Sequence, residues 1–266
     1  VRELLKLGGY AFAAIGAVAL SIGSAHADWS KGQFSADGKP VVEYHCVPEA
    51  KPPYPAVILL HGAGPRGIDY GRMERMCGKL AAAGYYTEFI EYYSQTEDIP
   101  RARPARIKEF FPVWLREIRA GVETMQDNPR IDSRRIGMMG FSLGSFLSLS
   151  IGATDPGSIV AIVEYYGELP DALHPMAHNL PPTLILHGDA DKLVPVAEAH
   201  ELDALMTRAK VAHQIHIYPG ANHAFNFQIP LWYNAADAQD AWQRSLTFLA
   251  EYLGGRPALK SQAASR

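Results

Sequence analysis

The chain has 266 residues, which suits one large α/β domain or two small ones, and a hydrophobic content of 48%, ample for a sizeable core. A net charge of −3 without any lysine/arginine run excludes the basic footprint of a nucleic-acid binder and makes a small molecule the expected partner. No cysteine/histidine spacing matches a zinc site.

Residues 1–27 read as a secretory signal peptide: Arg2 and Lys6 form a short basic region, residues 7–25 are apolar and rich in Ala and Gly, and Ala25-His26-Ala27 fits small-x-small cleavage. The alternative is a retained anchor, since 7–25 is just long enough to span a bilayer. Cleavage after Ala27 is the expectation, giving a periplasmic or secreted protein with no stable membrane insertion. Export would permit Cys46 and Cys77 to pair, but two cysteines without a spaced framework read rather as small buried residues.

The catalytic domain is expected over 28–258, with a flexible tail at 259–266. Residues 33–47 read as a strand pair around Asp37-Gly38, and 56–60 as a strand buried on both faces of a parallel sheet. That strand ends in the glycine-rich turn His61-Gly62-Ala63-Gly64-Pro65-Arg66-Gly67, at the end of a sheet where ligands bind. A helix over 70–83, a strand over 85–92 and a polar loop over 94–106 follow. The next helix carries Ile107, Phe110, Phe111, Trp114, Leu115, Ile118 and Val122 at helical spacing, a stripe read as core. Strands at 136–139, 159–165, 183–186 and 213–218 alternate with helices at 143–151, 196–208 and 235–253. This is an α/β fold with a mostly parallel central sheet and helices on both faces. The loops 94–106, 168–182 and 224–234 are expected to act as lids, and nothing in the pattern sets an oligomeric state.

The chain is organised around Gly140-Phe141-Ser142-Leu143-Gly144, a G-x-S-x-G sequence between an apolar strand and an apolar helix. A pentapeptide of this form turns up by accident in about one chain in ten of this length, so the strand-to-helix context and the partners matter. A serine on a sharp turn leaves little space two residues before and after it, hence the two glycines. Serine at its own pKa is a poor nucleophile and needs an imidazole base, itself held by a carboxylate. His223 follows the last strand and can reach across the sheet top, whereas His213 and His216 lie within a strand. Asp191 is the preferred carboxylate, with Asp189 read as a turn residue. The order Ser, Asp, His is that of the α/β-hydrolase fold, which places oxyanion donors at the backbone N–H groups of Ala63 and Leu143. Arg66, Phe225 and Trp232 are candidate substrate-binding residues, alongside the reading that Arg66 is solvated and the aromatics simply pack on the core.

LLHGAG at 59–64, GFSLGS at 140–145, VEYYG at 163–167, LILHGDADKLVP at 184–195 and YPGANHAF at 218–225 together resemble the dienelactone hydrolase family of the α/β-hydrolases. The resemblance covers essentially the whole chain after residue 27 and implies triad positions at Ser142, Asp191 and His223, with oxyanion positions at Ala63 and Leu143. The family's namesake enzymes carry a cysteine nucleophile; serine here favours ordinary ester hydrolysis. The expected function is that of an exported serine hydrolase cleaving small-molecule carboxylic esters or lactones through an acyl-enzyme. This serine chemistry requires neither metal nor cofactor, so none is expected. A peptidase or acyl-peptide hydrolase on the same fold, and a non-catalytic binding protein retaining it, are the alternatives.

Overall fold

The computed structural model describes residues 29–64, 67, 69–96 and 104–254. The segment 1–27 read as a signal peptide, Arg66, part of the 94–106 loop and the tail at 259–266 lie outside the described residues.

The chain enters through an antiparallel hairpin, β1 (Ser30–Ala36) and β2 (Lys39–Cys46), turning at Asp37 and Gly38 with φ of 52° and 73°. Two successive positive φ angles are what a tight two-residue hairpin turn requires, and Asp-Gly supplies them at low cost. β3 (Tyr54–Leu60) is buried at every position, followed by α1 (Tyr70–Ala82), β4 (Tyr86–Ile90) and α2 (Pro104–Asp127). β5 (Ile131–Phe141) then leads into α3 (Leu143–Thr154) and β6 (Ala161–Tyr165). A 3₁₀ helix at Asp171–Asn179 precedes β7 (Thr183–Gly188), α4 (Val196–Ala209), β8 (His213–Tyr218) and α5 (Ala235–Leu253).

The eight strands form one sheet in the order β1-β2-β4-β3-β5-β6-β7-β8. Pairing is parallel from β4 through β3 to β8, and antiparallel only where β1 meets β2 and β2 meets β4. The chain leaves β3 for β4 on one side and returns to β5 on the other. The carboxyl ends of β3 and β5 therefore flank the topological switch point, where open α/β sheets leave a crevice.

Alternate side chains of each strand feed two cores. Ile58 and Leu60 pack with Trp114, Leu147 and Leu202 from α2, α3 and α4; Val57 and Leu59 pack with Met73, Leu80 and Phe248 from α1 and α5. Strands covered on both faces must be apolar throughout, which is why β3 reads as an unbroken hydrophobic run.

Three local readings are corrected. β5 begins at Ile131, because Ile131 pairs with Tyr54 across a register shift that the apolar pattern does not reveal. The 168–182 segment is not a lid loop: its 3₁₀ helix packs on α3 and α4, with Ala177 and Leu180 buried. Cys46 and Cys77 are disulfide-bonded, Cα atoms 5.8 Å apart, because α1 lies across the end of β2. Pairing thirty-one residues apart in the chain is a product of that packing.

Candidate active site

The turn from β5 into α3 places Ser142 with φ 52° and ψ −119°, a conformation disfavoured for a residue with a side chain. The flanking glycines make it possible. A Cβ on Gly140 would stand 2.4 Å from the Gly144 carbonyl oxygen, and one on Gly144 would stand 2.2 Å from that of Leu60. Ser145 braces the same turn, its hydroxyl donating to the carbonyls of Gly140 at 2.7 Å and Tyr165 at 3.0 Å. The Ser142 N–H donates to the Tyr165 carbonyl at 2.9 Å, stitching the turn to the end of β6.

The turns after β7 and β8 bring two more groups to this point. Gly188 lets them close on each other, since a Cβ there would lie 2.2 Å from the Ala221 carbonyl oxygen. His223 Nε2 stands 3.0 Å from Ser142 Oγ, and His223 Nδ1 stands 2.7 Å from Asp191 Oδ2. The other Asp191 oxygen accepts the backbone N–H groups of Leu193 at 2.8 Å and Val194 at 3.0 Å. Burial by itself would raise the Asp191 pKa, but hydrogen bonds from His187 and His223 outweigh it and hold the carboxyl well below the usual range. Asp189 behaves as a turn residue, accepting the Gly220 N–H at 2.6 Å.

The loop after β3 completes the arrangement. A Cβ at Gly62 would be 3.5 Å from that of Ser142, so the backbone of this loop runs beside the hydroxyl. Ala63 and Leu143 both line the cavity that opens over Ser142, and Leu143 opens α3, whose first-turn N–H groups have no acceptor within the helix. The cavity holds about 580 Å3 and is walled mainly by apolar groups, among them Ile107, Phe146, Leu193, Ile229 and Trp232. Trp232 presents its ring edge-on to His223 at 6.3 Å. Ile107, the first residue of the α2 stripe, thus reaches the cavity, while Trp114, Ile118 and Val122 are core.

Phe225 requires correction. It is completely buried among Tyr165, Tyr166 and Tyr218 and does not line the cavity. Ala224, with φ of 56°, reverses the chain there and turns the large ring into the core. Among the described residues, no group of three or more His, Cys, Asp or Glu is arranged to hold a metal ion, and no helix is long and apolar enough to cross a membrane.

The family model "Dienelactone hydrolase family" matches residues 41–253. The chain belongs to that family. Similar proteins include a candidate carboxymethylenebutenolidase of Methylorubrum extorquens, 26% identical over 79% of this chain and 76% of the relative. A Bradyrhizobium protein named provisionally as a 2-oxo-3-(5-oxofuran-2-ylidene)propanoate lactonase is 24% identical over 86% of this chain and 96% of its own. Among solved structures, a candidate dienelactone hydrolase from Klebsiella pneumoniae superposes with a TM-score of 0.73 at 25% identity, over 85% of this chain and all of that one.

This dienelactone hydrolase family member has site neighbours that pattern reading did not single out. His187 is fully buried; its Nε2 lies 2.9 Å from the Val194 carbonyl and 3.5 Å from Asp191 Oδ2, clamping the turn that carries Asp191. Tyr166 lines the cavity with its ring 4.7 Å from that of His223 and donates its hydroxyl to Asn226 Oδ1 at 2.7 Å. His61 stacks on Tyr92 at 4.1 Å, and the Tyr92 hydroxyl donates to the His61 carbonyl at 2.7 Å, fixing the start of the 61–64 loop. His187 and His61 each stand at a strand's carboxyl end before a glycine, and that repeated His-Gly was the available signal.

Proposed function

We propose that this protein is an exported serine carboxylic-ester hydrolase that cleaves small-molecule esters or lactones through an acyl-enzyme. The observation that carries the reading is the 3.0 Å approach of Ser142 Oγ to His223 Nε2, with Asp191 2.7 Å behind the imidazole. In this mechanism His223 takes the Ser142 proton as Oγ bonds to the carbonyl carbon, and Asp191 holds the imidazole's orientation and offsets its positive charge. The carbonyl oxygen, now an oxyanion, receives the N–H groups of Ala63 and Leu143. Collapse breaks the C–O bond and His223 returns the proton to the departing alcohol; in a lactone that alcohol stays tethered to the acyl chain. Water, deprotonated by His223, then attacks the acyl carbon, releasing the acid and restoring Ser142.

The apolar walls of the cavity support a substrate with a compact hydrophobic body, with Trp232 among the groups that contact it. The name of the Bradyrhizobium relative supports lactones beside open-chain esters. Two observations support export: the composition of residues 1–27, and the Cys46–Cys77 disulfide, a bond that persists in oxidising compartments.

A fluorophosphonate probe tests the chemistry: wild-type protein is expected to label and Ser142→Ala is not. Wild-type protein that takes no label would sink the enzyme reading in favour of a binding protein. A panel of short and long p-nitrophenyl esters and lactones then ranks substrates, with short esters expected to lead. Expression in a Gram-negative host, followed by N-terminal sequencing, should find the periplasmic form beginning at Asp28.

A further inference from the structure

A second cavity, of about 360 Å3, lies between α1 and α5 beside the active-site cavity. One helical face of α1 lines it with Arg72, Arg75 and Lys79, and α5 contributes Trp242. No carboxylate lines it among the described residues, although the whole chain carries a net charge of −3. Concentrating three cations at one concave surface of an acidic protein makes that surface locally positive.

The partners of these cations sharpen the point. Arg72 is ion-paired with Asp69 at 2.5 Å, and its guanidinium lies over the Phe227 ring at 5.4 Å. The Lys79 ammonium lies over Trp242 at 5.5 Å. Among the described residues neither Arg75 nor Lys79 is ion-paired, and like charges one turn apart on a helix repel each other. A bound anion relieves that repulsion. Asn226 also lines the cavity; its Oδ1 accepts the Tyr166 hydroxyl, an orientation that leaves its NH2 group as a donor for a ligand. The site is thus rich in donors and cations, and Phe227 and Trp242 supply flat apolar walls.

We propose that this cavity binds a small organic anion, an acidic group carried on a flat unsaturated or aromatic body, at a site separate from the active-site cavity. Guanidinium forks take carboxylate or phosphate in bidentate fashion, and the aromatic walls take the face of the body. The volume fits one small molecule. Arg72 and Phe227 line both cavities, so an occupant would adjoin the active site through that shared wall.

Calorimetric titration with benzoate, phenyl phosphate and, as an uncharged control, benzamide tests this. Arg75→Ala/Lys79→Ala serves as the variant, since both side chains are exposed and neither lines the active-site cavity. Expected are saturable binding of at least one anion to wild type, no binding of benzamide, and affinity at least about tenfold weaker in the variant, from the loss of charge-assisted hydrogen bonds. Thermal unfolding should show the variant folded. Whichever anion binds more tightly identifies the acidic group. Absence of binding by both anions, equal binding of benzamide, or affinity unchanged in the variant would each overturn the proposal, the last by locating the ligand elsewhere.

Discussion

Asp191, on the turn after β7, and Glu164, on the adjacent strand β6, are both withdrawn from water, yet they are held on opposite sides of their ordinary pKa. Asp191 accepts two backbone N–H groups and His223, with His187 also close, and stays well below the usual carboxylate range. Glu164 is fully buried, and burial pushes its pKa up to about 7 against the opposing effects of His187, the Gly167 N–H and Ser145. Its Oε2 accepts the Gly167 N–H at 2.8 Å, while Oε1 has no hydrogen-bond partner among the described residues. The difference arises from backbone geometry. On a strand the neighbouring N–H groups are consumed by the sheet ladder, whereas a turn leaves them to converge on one carboxylate. Ionised carboxylates are therefore to be sought on the turns at the strand ends, the edge at which open α/β sheets bind ligands.

Substitutions at these positions test the contrast. The largest effect is expected for Asp191→Asn, with kcat/KM for an ester substrate falling about 10^4-fold while circular dichroism stays native, because the amide can no longer hold the His223 tautomer. A loss below tenfold would erase the distinction between the two carboxyls.

Glu164→Gln should change kcat/KM by no more than a few-fold but alter how stability depends on pH. Between the ordinary value of 4.5 and about 7, the folded wild type keeps a proton that the unfolded chain releases, so wild-type stability falls as pH rises through that window. The variant lacks this slope and should gain about 3 kcal/mol on wild type between pH 4 and pH 8, read by urea unfolding. Asp191 works in the other direction: its depressed pKa contributes stability above the unfolded value near 3.8, lost as pH falls through the folded one. Parallel unfolding curves for wild type and Glu164→Gln at all pH values would remove Glu164 from the comparison.

His187→Gln is expected to lower kcat by about tenfold, the scale of one hydrogen bond to a charged group, with KM little changed. The smallest effect belongs to Asp189→Ala. That carboxylate accepts one turn N–H, from Gly220, so activity should stay within about threefold and stability drop by about 1 kcal/mol, measured by thermal unfolding.

Much of this site is visible before folding is considered. Gly140 and Gly144 announce a turn too crowded for side chains, and the apolar runs of β3, β6 and β7 announce strands covered on both faces. Ser142, Asp191 and His223 can be chosen because each follows a strand of a parallel sheet, and such strands deliver their carboxyl ends to one edge. Phe225 could not be sorted the same way, since an aromatic beside a histidine reads alike whether it faces a cavity or the core. The disulfide was equally hidden, because it depends on how α1 crosses β2.

The sequence by itself determined the kinds and order of the elements, the turn at Ser142 and the residues available at the strand ends, since propensity, periodicity and glycine spacing act over a few neighbouring residues. Tertiary structure alone decided which aromatic ring turned inward, that Cys46 met Cys77, that His187 clamped the Asp191 turn, and which buried carboxyl is pushed above its ordinary pKa and which is held below it. Those outcomes depend on distance and solvent exclusion between segments far apart in the chain, quantities that no local pattern of residues encodes.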